Sequence, residues 1–269
     1  MLLAIDIGNT NVVLACAEVG RKLFEARPPI WRLETDADKN SADYAAAIRD
    51  LLGADRCAAV TGAIVASVVP ALSTVICDAV ASATGHVPLL VGDDGVDLGI
   101  DINIDEPEQA GADRLVNAVG AQAHHQLPAI VLDFGTATTL DLVGADGVYE
   151  GGIIAPGVAL SIDALEAAAA QLPRLALREF GADLPILGKN TVSAMESGIF
   201  WGYVSMIEGL LARLRADYGD VSMIATGGLA GLFSAHLPGV NAVDPDLTVK
   251  GLFEIYARNS SAAARAQDG

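Results

Sequence analysis

A short pattern occurs twice in this chain and restricts its architecture more than any other feature. Ile5-Asp6-Ile7-Gly8 is echoed 127 residues later by Leu132-Asp133-Phe134-Gly135. In each copy a short apolar run (Leu2–Asp6, Ala129–Asp133) ends in a carboxylate, and a glycine follows two residues on. A second run (Asn11–Ala17, Thr138–Val143) then returns, so each copy reads as a strand–turn–strand hairpin. A third strand is predicted in each half. It is Ile30–Glu34 in the first, with 22–27 extending the sheet before Pro28-Pro29, and Val148–Ala155 after the Asp146-Gly147 turn in the second.

Helices and further strands alternate after each triplet. Ser41–Leu52 has helical apolar spacing behind a Ser41 cap, and Val60–Ser67, Ala71–Ala83 and Val87–Val91 read as strand, helix and strand. Asp93–Asp105 reads as an acidic loop, and Asp113 opens a helix to about His125. The second half continues with a helix from Gly157, a long one from Thr191 to Tyr218, a strand over Ser222–Thr226, a helix over Leu229–His236 and a last helix from Leu247. The prediction is two similar α/β domains, 1–117 and 118–258, with a cleft between them and a polar tail over 259–269.

Composition narrows the partners. The chain has 269 residues, and 16 Lys+Arg against 34 Asp+Glu give a net charge of −18. Nucleic acid and anionic membrane are excluded as expected partners, because both need a basic surface. A 52% hydrophobic content argues against disorder. Three cysteines without a C-x-x-C pair, and an N-terminus without a basic leader, give the expectation of a cytoplasmic protein. The uncharged stretch Cys57–Cys77 is split by Gly62, Pro70 and several hydroxyl residues, so it reads as strand and helix start, not as a membrane span.

The paired turns carry chemistry. Glycine lets backbone N–H groups approach a ligand closely, and successive N–H groups form an anion nest. Asn9, Thr10 and Asn11 add side-chain donors suited to phosphate oxygens. A carboxylate beside such a nest repels phosphate directly, so Asp6 is expected to hold a divalent cation, Mg2+, through water. Asp133-Phe134-Gly135-Thr136 repeats the set, and Gly227-Gly228 is a third glycine turn, suited to a flat base or ribose.

Other patterns carry no such chemistry. Gly188-Lys189-Asn190-Thr191 lacks the remaining positions of a P-loop. His124 and His125 are adjacent, about 100° apart on a helix, and do not chelate together. Met195, Ile199, Tyr203, Ile207 and Leu211 fall at four-residue steps and read as a core stripe.

Five segments in order resemble the type III pantothenate kinases. They are Asp6–Asn11, Gly111-Ala112-Asp113-Arg114, Asp133–Thr139, Gly151–Gly157 and Ala225–Leu229. The resemblance implies the actin-like ATPase fold shared with sugar kinases, two duplicated ribonuclease H-like domains with an interdomain cleft. It also implies ATP-dependent phosphorylation of pantothenate, the first step of coenzyme A synthesis. By position it implies ATP binding by Asp6, Ile7, Gly8, Asn9, Thr10, Asn11, Val12 and Val13, with Thr136 contacting ATP from the second loop. Gly111, Ala112, Asp113 and Arg114 would contact pantothenate, with Asp113 as proton acceptor, and Thr191 would add a substrate contact. Asp133 would help bind a required monovalent cation, potassium or ammonium. The family works as a dimer, and Gly198 and Gly202 on the long helix suit close packing.

The chain departs from the family at one place. Where the commoner pattern has a Tyr followed by Asn-Pro, this sequence has Ile104-Asp105-Glu106-Pro107, and Ile104 has no hydroxyl to donate. Two alternatives stand beside the pantothenate reading: a kinase for another small hydroxyl substrate, since the same fold serves sugar kinases, and a non-catalytic accessory or regulatory protein of the same fold, to which Ile104 leaves an opening.

Overall fold

A computed structural model describes residues 1–18, 27–168, 173, 175 and 184–267. The described chain divides into two compact units. Met1–His125 with Asp246–Gly269 form the first, and Gln126–Pro245 the second.

The first unit is built on a five-stranded sheet. Its strands are β1 (Leu2–Ile7), β2 (Asn11–Ala17), β3 (Ile30–Glu34), β4 (Gly62–Ser67) and β5 (Leu89–Leu90), in the order β3-β2-β1-β4-β5. β1 pairs antiparallel with β2 and parallel with β4, so it is central and its side chains are buried on both faces. One face, through Leu3, Ile5 and Ile7, packs on α1 (Ser41–Leu52) and α3 (Pro70–Thr84) by way of Tyr44, Ile48, Leu72 and Ile76. The other, through Leu2, Ala4 and Ile64, packs on α4 (Ala112–His124) and α8 (Leu247–Gln267) by way of Val116, Val119, Leu252 and Phe253. A short helix, α2 (Ala54–Ala59), joins α1 to β4.

The second unit repeats the plan. Its strands are β6 (Ala129–Phe134), β7 (Ala137–Val143), β8 (Tyr149–Pro156), β9 (Ser222–Gly227) and β10 (Ala242–Val243), in the order β10-β9-β6-β7-β8. Read from the opposite edge, that is the order of the first sheet. Ile130, Leu132 and Phe134 pack on α6 (Thr191–Tyr218) and α7 (Ala230–Ser234), while α5 (Val158–Ala168) contributes Val158 and Ile162. Phe233 stacks on Phe134 at 5.1 Å and on Phe200 at 5.3 Å between ring centroids. The expected stripe on α6 lies in this core, with Met195, Tyr203, Ile207 and Leu211 buried and Ile199 packed against them.

Several expectations change. The units do not divide at 117/118, because that point lies inside α4, whose side chains are continuous with the first core. Residues 246–258 join the first unit, because α8 crosses α4 so closely that a Cβ on Gly251 would meet the Val116 carbonyl. The stretch 259–267, expected as a polar tail, continues α8. The cap of α1 is Asn40, one residue before Ser41, in a reciprocal capping box with Asp43. Except for Arg27, the expected sheet extension 22–27 lies outside the described residues. Among the described residues no helix is long and apolar enough to cross a membrane.

Candidate active site

The first unit presents the Asp6 hairpin. Asp6 is the fifth residue of β1, opposite Val13 on β2 and Ala66 on β4, and is half-buried at the end of the strand. The turn Gly8–Asn11 is closed by the Gly8 N–H donating to the Asn11 carbonyl oxygen at 2.9 Å. Asn9, Thr10 and Asn11 are exposed, whereas Ile7 and Val12 anchor the turn in the core. The hairpin is the polar tip of a strand pair whose base is apolar.

The same unit carries Gly111–Arg114 at the start of α4. Gly111 is the N-cap and makes no side-chain cap, so Asp113 lies in the first helical turn and is not the cap itself. Its Oδ1 accepts from the Arg114 N–H at 2.8 Å. A Cβ at Gly111 would lie 2.7 Å from that same oxygen, so glycine there leaves the carboxylate its room. The positive end of the helix dipole favours a negative charge at this position. Ahead of it, Pro107–Gln109 form a single 3-10 turn, with half-buried Ile104 three residues upstream of Pro107.

In the second unit Asp133 occupies the place that Asp6 has in the first. It stands opposite Thr139 on β7 and Thr226 on β9. The second turn is one residue shorter: Phe134 pairs with Thr138, whereas Ile7 pairs with Val12. Gly227 ends β9 with φ +89°, and Gly228 donates its N–H to the Phe134 carbonyl oxygen at 3.2 Å. Asp133, the exposed pair Gly135 and Thr136, and the Gly227-Gly228 turn therefore converge at one end of the sheet. Nothing lies within 4 Å of a Cβ built on Gly228, so that turn is open above.

Two supports of the second loop have no sequence motif pointing to that task. A Cβ on Gly157 would collide with the Thr136 carbonyl, so the GGIIAPG segment ends in a glycine that the loop rests upon. The residue before it, Pro156, accepts a hydrogen bond from the Tyr203 hydroxyl at 2.6 Å, and Ser161 lies 2.7 Å from the same hydroxyl. Burial raises the pKa of the Tyr203 hydroxyl above its usual value, outweighing the lowering effect of the Ser161 hydrogen bond, so the hydroxyl is held as a donor. In the first unit Thr35 plays a comparable part, donating from Oγ1 to the Gly8 carbonyl oxygen at 2.7 Å. Its separation of 27 residues from Gly8 hides the contact from any local pattern.

Thr191 opens α6 behind its N-cap Asn190 and lines a groove of 790 Å3 with Leu165, Lys189, Met195 and Ile199. The Gly188–Thr191 stretch is thus a helix cap, in keeping with its failure as a P-loop. His124 Nε2 lies 3.0 Å from Glu254 Oε1 on α8, and among the described residues no group of three His, Cys, Asp or Glu side chains can hold a metal ion.

Known structures share the architecture. A conserved protein assigned to the Baf family of transcriptional activators, from Campylobacter jejuni, superposes with a TM-score of 0.60 at 17% identity over 96% of this chain and 99% of that one. The ADPNP-bound activator of 2-hydroxyisocaproyl-CoA dehydratase from Clostridium difficile gives 0.57 at 10% identity over 99% and 97%. At these identities the likeness establishes the fold, that of the actin-like ATPases and sugar kinases. Sequence relatives are nearer. A type III pantothenate kinase from Paramagnetospirillum magneticum is 48% identical over 97% of this chain and 98% of its own length. Another from Phenylobacterium zucineum is 44% identical over 98% and 100%. The profile of the same family matches residues 2–213, and with relatives this similar over nearly its whole length the chain belongs to the type III pantothenate kinases.

Proposed function

We propose that this protein transfers the γ-phosphoryl group of ATP to pantothenate, forming 4′-phosphopantothenate and ADP in the first step of coenzyme A biosynthesis. The observation that carries this reading is near full-length similarity to type III pantothenate kinases, in a chain with carboxylates at Asp6, Asp113 and Asp133, where the resemblance assigns them roles.

Asp6 to Val13 bind the ATP phosphates through the backbone N–H groups of the first turn, Thr136 adds a contact from the second, and Gly227 and Gly228 lie against the adenosine. Gly111 to Arg114 and Thr191 hold pantothenate. Asp113 accepts the proton of its primary hydroxyl as the oxygen attacks the γ-phosphorus, and the bond to the bridging oxygen of ADP breaks. Little covalent work falls to the protein in such a transfer, so positioning and charge stabilisation supply most of the acceleration. Arg114, beside the base, offers a positive charge to a substrate oxygen or to the developing phosphoryl charge.

The donor sets fit the expected ions. Mg2+ usually keeps several waters and takes one or two carboxylates besides the nucleotide's phosphates, which suits the Asp6 carboxylate beside an N–H-rich turn. When bound, it offsets phosphate charge. Asp133 suits potassium or ammonium, since its oxygen lies in a cradle that a Cβ at Gly227 would fill. The exposed Gly198 and Gly202 of α6, with nothing within 4 Å of a Cβ at either, support a homodimer packed through this helix face.

The departures at Ile104 and Glu106 favour the alternative of an accessory protein, and the shared fold that of a kinase for another hydroxyl compound. ADP release measured with and without pantothenate, in potassium and then in sodium, separates the readings. Pantothenate-dependent release that falls in sodium is expected; release indifferent to pantothenate overturns the proposal.

A further inference from the structure

The geometry points to Thr35 as a positioning residue that orients the first phosphate loop, a role that rests on the reading of 6–13 as the ATP phosphate loop. Thr35 directly follows β3 and is partly buried. It grips the turn twice: Oγ1 donates to the Gly8 carbonyl oxygen at 2.7 Å, and its N–H donates to the Thr10 carbonyl oxygen at 3.0 Å. Two alternate carbonyls of a four-residue turn are thereby drawn toward one residue.

The consequence follows from peptide geometry. In a planar trans peptide the C=O of one residue and the N–H of the next point in opposite directions. With the Gly8 and Thr10 carbonyls directed at Thr35, the N–H groups of Asn9 and Asn11 point away from it. A peptide flip at either position would present an oxygen to the polyphosphate in place of a donor. Thr35 sets the sign of the loop's surface without touching the phosphates itself.

Thr35 is in turn held by the core. Tyr44, 1% exposed on α1, accepts from the Asp36 N–H at 3.0 Å and donates to the Asp36 carbonyl oxygen at 2.9 Å. A β-branched side chain also restricts χ1, which keeps Oγ1 aimed at its acceptor. The brace runs from the helix core through Tyr44 and Asp36 to Thr35 and the loop.

The test uses the full chain as wild type, Thr35→Val and Thr35→Ser, with AMP-PNP binding by calorimetry and steady-state kinetics for both substrates. Thr35→Val keeps the shape and loses the hydroxyl. It is expected to weaken AMP-PNP binding and raise the KM for ATP about tenfold, the size of one neutral hydrogen bond. Thr35→Ser is expected to restore both to within about threefold, and the KM for pantothenate to stay within about twofold in each variant. Wild-type nucleotide affinity in Thr35→Val overturns the proposal. So does failure of Thr35→Ser to rescue, or an equal rise in the pantothenate KM. Should Thr35→Val not fold, amide hydrogen exchange on the wild-type chain decides: AMP-PNP must slow exchange at Asn9 and Asn11, and unchanged exchange overturns the role. If the wild type binds AMP-PNP but releases no ADP with pantothenate, the proposed reaction fails while the nucleotide arm still tests Thr35.

Discussion

Gly227 stands over the Asp133 carboxylate so closely that a single added methyl group would strike Asp133 Oδ1 and approach the Phe134 backbone nitrogen to 2.7 Å. Its φ of +89° is also one that L side chains rarely adopt. Gly227→Ala is therefore expected to cost about 1–3 kcal/mol of stability from backbone strain alone. Its nucleotide affinity should fall as well, because the methyl displaces the carboxylate assigned to the monovalent cation. Urea midpoints and AMP-PNP titration read the two effects, and a variant matching wild type in both contradicts the tight approach.

Asp113→Asn keeps an oxygen that can accept from the Arg114 N–H, so the first turn of α4 is preserved while the proton acceptor is lost. Turnover should fall roughly 10²–10⁴-fold, the usual contribution of a general base, with little change in melting temperature. A folded variant with near-normal kcat rules out the role given to Asp113.

Gly251→Ala tests whether the α4–α8 crossing sets the site. The new methyl would press on the Val116 carbonyl, and Val116 lies three residues beyond Asp113 on the same helix. Overpacking of this kind costs about 1–3 kcal/mol. If α4 shifts to relieve it, kcat with pantothenate drops as well. A stable variant with unchanged kinetics shows that the crossing has slack.

Cys77 supplies a pH prediction. Burial first, then the nearby Asp93 and Asp78 carboxylates, push its thiol up to about 11. The fold favours the neutral thiol, so this contribution to stability is complete below the unfolded value and disappears as pH rises toward about 11. Native Cys77 should resist iodoacetamide at neutral pH and label quickly once unfolded, as followed by mass spectrometry. Rapid native labelling would contradict the shift.

Much of this was legible from local pattern. The two Asp–Gly hairpins announce themselves because strand periodicity and turn chemistry act within about seven residues. The repeat then supplied two matching series of elements, whereas the shared strand order of the two sheets came only with the structure. Choices between neighbours were less secure: Asn40 and Ser41 are both good caps, and only the extended backbone at Asn40 decides. Helix α2, six residues with Cys57 alone buried, has too short a face to show a period. Contacts spanning the chain left no trace at all. Thr35 on Gly8, Tyr203 on Pro156 and Gly251 on Val116 are visible only when distant segments meet.

The assignment of α8 to the first unit has a consequence for how the protein is made. Val249, Leu252, Phe253 and Ile255 complete one face of a sheet whose strands all leave the ribosome before residue 91. An emerging N-terminal half must wait with α4 alone on that face while the entire second unit is synthesised. Its final closure comes with the last helix, so truncations that spare every proposed catalytic residue can still leave the nucleotide-binding half unfinished.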